Sequence, residues 1–107
     1  MATGILGTSD LTAATDTVVY TVPASTFAVV SVNVVNRSPA NPADIRIALA
    51  ASDTPSNAEF IEYDAELLIN GTIERTGLVL DAEKRIVCRA STNDISVVVY
   101  GIETTTT

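Results

Sequence analysis

The side chains of this sequence with the greatest chemical potential are acidic and lie close together. Glu59, Glu62, Asp64 and Glu66, with Glu74 a few residues later, form the densest group of carboxylates. Hard cations such as Ca²⁺ bind about six to eight oxygen ligands of this kind. A pair of carboxylates can also hydrolyse a glycosidic bond. A calcium site and a glycosidase are therefore the two chemistries to weigh.

The spacing of these carboxylates argues against both chemistries. Glu62, Asp64 and Glu66 alternate with apolar or small residues, and a period of two is typical of a β-strand. On a strand the three side chains would leave one face about 7 Å apart, whereas a calcium site needs a curved loop to gather its ligands. We expect a solvated face or ion pairs across strands. The candidate partners are Arg37, Arg46 and Arg75.

The composition leaves other kinds of site without their residues. The sequence has one cysteine, Cys88, and no histidine or tryptophan. Zinc centres, haem attachment and Ser-His-Asp or Cys-His catalysis therefore lack their parts, and a sugar-binding surface lacks its best aromatic platform. We expect Cys88 to behave as a small buried apolar residue. We predict no enzyme activity and no catalytic, cofactor-binding or metal-binding residues.

Charge and hydropathy restrict the partners. The 13 acidic and 6 basic residues leave a formal net charge of −7, whereas binding to nucleic acid depends on an excess of Lys and Arg. The longest uncharged run, residues 17–36, contains Pro23 and alternates valine with polar residues, so it indicates strands and not a membrane helix. The N-terminus has no signal-peptide pattern. We expect neither a nucleic acid nor a membrane as partner.

The hydropathy pattern predicts an all-β domain. The 107 residues suffice for one domain with a single core. Runs of β-branched residues with a period of two are separated by turns rich in Pro, Gly, Asn and Asp. About seven such strands predict an antiparallel β-sandwich, for which a jelly roll is one candidate topology. The predicted strands are 17–22, 27–36, 44–51, two arms within 59–80, 84–90 and 95–102.

The segment 59–80 is predicted to be a hairpin with its turn at Asn70-Gly71. This dipeptide tolerates the positive φ angles of a tight turn, and it lies between two alternating runs. In the second arm, the apolar residues change phase at Gly77, and we expect a β-bulge there.

The two termini are predicted to lie outside the sandwich, which should span residues 17–103. Residues 1–16 are interpreted as an extended N-terminal arm, either a frayed terminus or a segment that docks on a neighbouring subunit. Residues 104–107 form a Thr tail without a pattern that would fold.

Two segments supply the candidate subunit contacts. The arm has only three large apolar residues, and the last strand is apolar on both faces around residues 97–100. Such a strand is either central in a sheet or buried against another subunit. The predicted contact residues are Ile5, Leu6, Leu11, Val98 and Tyr100.

Five stretches of the sequence carry a resemblance to a known group of proteins. They are YTVPAST (20–26), VNVVNRS (32–38), IRIALAASDTPSNAEFIEYD (45–64), NGTIERTGLVL (70–80) and VVVYGIE (97–103). Together they resemble short virion structural proteins of tailed bacteriophages, especially phages of cyanobacteria. The similarity spans residues 17–103.

The resemblance implies a small β-sandwich that functions by assembly. The expected role is capsid decoration or cementing of the head lattice, and the alternatives are a tail, baseplate or fibre component, or a carbohydrate-binding module for host attachment. The expected partners are the major capsid protein or other virion proteins, and further copies of the chain, with a trimer as the expected oligomer. The protein would be made in the host cytoplasm and reside in the virion.

Overall fold

The computed structural model describes residues 2–106, and within them the chain forms eight β-strands. A single turn of 3-10 helix, Asn57–Glu59, lies between the fourth and fifth strands. The predictions for Met1 and Thr107, as parts of the arm and the tail, lie outside the described residues. The strands are β1 (Thr3–Leu11), β2 (Thr17–Thr21), β3 (Thr26–Asn36), β4 (Ala43–Ala50), β5 (Phe60–Leu67), β6 (Thr72–Leu80), β7 (Arg85–Ala90) and β8 (Ile95–Thr105).

The eight strands form two antiparallel sheets of four. Their orders are β1-β8-β3-β6 and β2-β7-β4-β5. Every connection except the one from β4 to β5 carries the chain from one sheet to the other. This arrangement is an eight-stranded jelly roll. The predicted antiparallel sandwich is confirmed, with one strand more than the seven expected.

The core lies between the sheets and is almost entirely aliphatic. In β3, every second residue from Ala28 to Val34 is buried, and the residues between them are half-buried on the opposite face. This alternation is what a strand needs to cover a core with one face. Cys88 lies in the same core and is 1% exposed, and burial raises the pKa of its thiol to about 12. Its predicted role as a buried apolar residue is confirmed.

The hairpin predicted at Asn70-Gly71 is wrong in its pairing. A tight turn does form: Asn70 has a positive φ of 56°, and the Gly71 amide donates to the Leu68 carbonyl at 2.8 Å. However, β5 pairs with β4, and β6 pairs with β3. The turn, residues 68–71, therefore carries the chain from one sheet to the other, because β5 and β6 belong to different sheets.

The N-terminal segment expected to be an arm instead adds a strand to a sheet. In β1, residues from Thr3 to Leu11 pair with β8, and the pairing shifts register between Ile5 and Gly7. This bulge interrupts the period of two, so the sequence shows no clear strand pattern here. At the other terminus, Thr104 and Thr105, expected to lie in a tail, continue β8 and pair with the start of β3.

A second bulge occurs where the sequence predicts one. Val30 of β3 pairs with Leu78 of β6, but Val32 pairs with Arg75. One residue of β3 therefore faces two residues of β6, and one of these, Gly77, has a positive φ of 68°. The bulge predicted at Gly77 is confirmed, and it accounts for the change of phase in the apolar pattern.

The two sides of the sandwich are closed by different means. On one side β1 approaches β2 so closely that a Cβ atom at Gly7 would overlap the carbonyl oxygen of Val19. On the other side, Arg75 of β6 reaches β5, where it donates to the Ile61 carbonyl at 3.1 Å and to the Glu62 carboxylate at 2.6 Å. The two sheets are thus joined by close backbone packing between β1 and β2 on one side and by the hydrogen bonds of Arg75 between β6 and β5 on the other.

One buried amide fixes the end of the sandwich at which β3 stops. Asn36 is fully buried; its Nδ2 donates to the carbonyl oxygens of Asn41, at 2.9 Å, and Leu67, at 3.3 Å, and its Oδ1 accepts from the Ser38 amide at 2.9 Å. The backbone amide of Asn36 also donates, to the Gly71 carbonyl at 2.9 Å. A single side chain therefore joins β3, the loop after it and the end of β5.

We expect Asn36→Ala to lower the free energy of unfolding by about 2–3 kcal/mol, because buried backbone groups lose their partner without gaining water. Urea denaturation followed by far-UV circular dichroism measures this. Asn41→Ala is the matched control: Asn41 contributes its backbone carbonyl to the same motif, so the change should stay within about 0.5 kcal/mol. Equal losses in the two variants would contradict the assignment.

Candidate functional site

The five carboxylates that dominate the sequence do not converge in the structure. β5 contains a bulge: Ile45 of β4 pairs with Ala65, but Ile47 pairs with Glu62. Within this bulge, Asp64 has a positive φ of 52°. Glu62 and Asp64 consequently bind to different arginines, so they do not form one row on one face.

Each of these carboxylates, apart from Glu66, has its own partner. Glu62 accepts from Arg75 at 2.6 Å, across the gap between the sheets. Asp64 accepts from Arg46 at 2.7 Å and 3.2 Å through both carboxylate oxygens. Of the two predicted alternatives, a solvated face or ion pairs, these two contacts are ion pairs with two of the three candidate arginines. The third candidate, Arg37, pairs with Asp10 of β1 instead.

The other two partners are not arginines. Glu59 accepts from the Ser56 amide at 2.8 Å and from the Ala51 amide at 3.0 Å, and these bonds hold the pKa of its carboxyl below its usual range. Glu74 accepts from the Tyr100 hydroxyl at 2.6 Å, and this bond raises the pKa of Tyr100. Within residues 2–106 no three acidic, His or Cys side chains are grouped as a metal ion requires.

A polar depression lies on the outer surface of the β2-β7-β4-β5 sheet. Its volume is about 260 Å³. Arg46 and Arg89 are directly opposite each other on β4 and β7, and each has an acidic partner, Asp64 at 2.7 Å and Asp16 at 3.5 Å respectively. The lining residues are Ala14, Asp44, Arg46, Asp64, Arg89, Ala90 and Ser91.

The charges of this depression are balanced within the chain. Arg46 also lies over the ring of Tyr63, with 4.1 Å between the guanidinium carbon and the ring centroid. The bidentate contact from Arg46 holds the pKa of Asp64 below its usual range. The arrangement resembles a structural network of ion pairs more than a site with a free charge for a ligand.

The outer surface of the β1-β8-β3-β6 sheet has the opposite character, and we call it the apolar face. Val29 of β3 is opposite Ile102 of β8 on one side and Val79 of β6 on the other. In the next row, Ile5 of β1 is opposite Tyr100 of β8. Its apolar members are Ile5, Phe27, Val29, Val35, Val79, Val98, Tyr100 and Ile102.

Three of these side chains are exposed to an unusual degree. Ile5 is 73% exposed, Val79 is 66% exposed and Ile102 is 47% exposed. Ile5 and Val79 lie on the two edge strands of the sheet, so the exposed apolar surface spans its full width. An exposed apolar patch of this extent is typical of a contact surface between proteins.

The basic residues of the chain lie away from the apolar face. Three are on the opposite sheet, two are in loops, and Arg75 of β6 turns toward β5. The acidic residues nearest to the face already have partners, since Glu74 accepts from Tyr100 and Asp10 forms an ion pair with Arg37 at 2.5 Å. The surface of this sheet therefore carries charge only toward the end at which β3 stops, as the Glu74 carboxylate and the Asp10–Arg37 ion pair, while the rows around Val29, Val79 and Ile102 contain no charged side chain.

Three of the five predicted contact residues, Ile5, Val98 and Tyr100, lie on the apolar face. Leu11 is buried in the core of its own chain, and Leu6 is partly buried against that core, so neither belongs to the apolar face. β8 lies between β1 and β3, so the first of the two alternatives predicted for it, a central strand in a sheet, is the one observed.

Sequence reasoning missed five members of the apolar face. Phe27, Val29 and Val35 could have been found, because β3 has apolar residues at its outward positions as well as its inward ones. Val79 and Ile102 could not, because their place opposite Val29 depends on the sheet order. The pairing of distant strands has no signal in the local pattern.

Known proteins offer limited guidance. No protein-family model and no curated protein matches the sequence. Among solved structures, a chain from the cyanophage Pam1 capsid asymmetric unit is similar, with a TM-score of 0.45 and 14% identity. The match covers 92% of this chain and 83% of that chain. A likeness of this degree assigns no function.

No helix within residues 2–106 is long and apolar enough to cross a membrane.

We expect Asp64→Asn to lower stability near neutral pH and to have no effect in strong acid. The folded-state pKa of Asp64 is depressed by Arg46, so the ion pair stabilises the fold above the unfolded-state pKa of about 3.9 and its contribution is lost as the pH falls through the lower folded-state pKa. Asparagine tolerates the positive φ at this position.

Thermal unfolding midpoints of the wild type and Asp64→Asn across the acid range measure this difference. Glu66→Gln is the control, because Glu66 is an exposed carboxylate on the same strand and has no ion pair among the described residues. A gap between the wild type and Asp64→Asn that stays constant down to the lowest pH would contradict the assignment.

Proposed function

We propose that this protein is a non-enzymatic structural component of a bacteriophage virion and that it decorates and cements the head lattice. The observation that carries the proposal is the apolar face, which reaches from one edge of its sheet to the other and has no charged side chain around Val29, Val79 and Ile102. Such a surface fits the depletion of charge and the enrichment of apolar and aromatic residues at the centres of protein interfaces.

The rest of the surface supports assembly in preference to catalysis. The carboxylates that could act as acid, base or metal ligand lie in separate pairs or caps. The largest fully buried side chains are isoleucine and valine, apart from Asn36, which holds a loop. An enzyme would instead gather titratable groups in one cleft.

The shape and charge of the domain suit a position on the outside of a shell. The chain measures 48 × 27 × 19 Å, so one broad sheet can cover a neighbour while the other faces solvent. A net charge of −7 disfavours contact with the packaged genome. The proposed partners are the major capsid protein or other virion proteins, together with further copies of the chain, and the proposed location is the virion after synthesis in the host cytoplasm.

The resemblance over residues 17–103 to short virion structural proteins of tailed phages supports the same class. It leaves open a second role, as a tail, baseplate or fibre component. Copy number separates these roles, because a decoration protein covers the lattice and a tail component does not.

Quantitative mass spectrometry of purified virions tests the proposal. We expect about one-third to one copy of this chain for each major capsid protein, as a repeating symmetric lattice requires. A ratio of a few per cent would favour the tail role, and absence of the chain from purified particles would contradict both roles.

The candidate location for the carbohydrate-binding alternative is the polar depression beside Tyr63. Because its arginines are already paired, we expect no glycan to bind. A glycan array with the purified protein measures this. Hits that disappear in Arg89→Ala but persist in Arg37→Ala, which lies outside the depression, would instead favour host attachment.

A further inference from the structure

We propose that the apolar face is a homotypic contact: two copies of the chain pack face to face through their β1-β8-β3-β6 sheets. The proposal rests on the assembly role proposed above and names one partner for it, a second copy. It concerns the isolated protein, so it can fail while the virion role stands.

The register places the exposed apolar side chains in adjoining rows. One row contains Val79, Val29 and Ile102, and the next contains Tyr100 and Ile5. These rows cross all four strands of the sheet. Two sheets that pack through such surfaces interdigitate their side chains at a separation of about 10 Å, as in the interior of a sandwich.

The remaining surface explains why the partner is a second apolar face. The outer surface of the other sheet carries Arg46, Arg85 and Arg89, and the loops carry much of the remaining charge. A head-to-tail contact would bury the apolar face against these ions, which costs desolvation energy. In an isologous contact, which has two-fold symmetry, the apolar face of one copy packs against the apolar face of the other.

The acidic residues near the face do not oppose this contact. Glu74 is held by the Tyr100 hydroxyl at 2.6 Å and Asp10 is held by Arg37 at 2.5 Å. Both lie toward the end of the sheet at which β3 stops, whereas Val29, Val79 and Ile102 lie toward the other end. Two faces can therefore overlap at their apolar ends without placing carboxylates opposite each other.

The size of the face is adequate for a dimer in equilibrium with its monomer. The two edge strands are 9 residues long, and four strands of that length measure roughly 19 by 30 Å, or about 570 Å², in projection. Side-chain relief makes the accessible area larger than this projection. The overlap leaves out the end of the sheet with the carboxylates, so the contact is smaller than a standard interface, which buries about 800 Å² on each partner. The dimer should therefore be weak and should dissociate on dilution.

Two substitutions place a charge on the face without disturbing the core. Val79→Glu and Ile5→Glu change highly exposed side chains on opposite edges of the sheet. Leu68→Glu is the matched control, because Leu68 is 63% exposed but lies in the loop between β5 and β6, off the face. All three variants carry the same added charge.

Sedimentation velocity over a concentration series, with light scattering as a second measure of mass, tests the proposal. We expect the wild type and Leu68→Glu to dimerise alike, and Val79→Glu and Ile5→Glu to weaken dimerisation at least about tenfold, since a carboxylate would be buried in the contact. Circular dichroism identifies any variant that fails to fold, and the remaining face variant then decides.

Three outcomes would overturn the homotypic contact. They are a wild type that stays monomeric at every concentration, a trimer or another odd-numbered oligomer, and a dimer that Leu68→Glu weakens as much as Val79→Glu does. Virion incorporation is measured separately. A protein that is monomeric in solution but present in virions at lattice stoichiometry would contradict the homotypic contact and support the virion role. A protein that dimerises but is absent from virions would support the homotypic contact and contradict the virion role.

Discussion

The fold depends on β3, which covers the core with one face and pairs with a strand along each of its edges. Its inward residues, Ala28, Val30, Val32 and Val34, supply the middle of the core, and its backbone pairs with β8 along one edge and β6 along the other. Full burial of a valine side chain contributes about 1.5 kcal/mol or more. β8 and β6 have no common partner except β3, so a change in its register would displace three strands of the four-stranded sheet.

Local signals predicted most of the strands, and long-range pairing produced the surprises. The alternation between Phe27 and Asn36 identifies β3 almost to its ends, and the phase change at Gly77 locates a bulge. The turn at Asn70-Gly71 also forms. Its sequence specifies the backbone angles and leaves the partner of the next strand open, because the sheet that β6 joins is decided by the apolar surface it must cover. β1 escaped prediction because a bulge interrupts its alternation. It forms a strand because it pairs with β8, and this pairing is not visible in the local sequence.

The candidate surfaces show the same division. Spacing alone placed Glu62 and Asp64 on one face, and the bulge in β5 turned them toward different arginines. Ile5 and Tyr100 were singled out from two separate segments and meet as cross-strand neighbours. Leu11 was singled out for the same reason and lies in the core. An apolar residue in a sequence pattern indicates a side chain that is to be buried. Only the topology shows whether it is buried within its own chain or against another one.

The start of β1 and the end of β8 lie side by side, with the Glu103 amide donating to the Ala2 carbonyl at 2.9 Å. In an antiparallel pair the hydrogen bonds run perpendicular to the strands. A force that pulls the two termini apart would therefore load these bonds one after another, as in a zipper, and not all together. We therefore expect the domain to yield at a lower force in this direction than in one that loads all the bonds of the β1-β8 pair together.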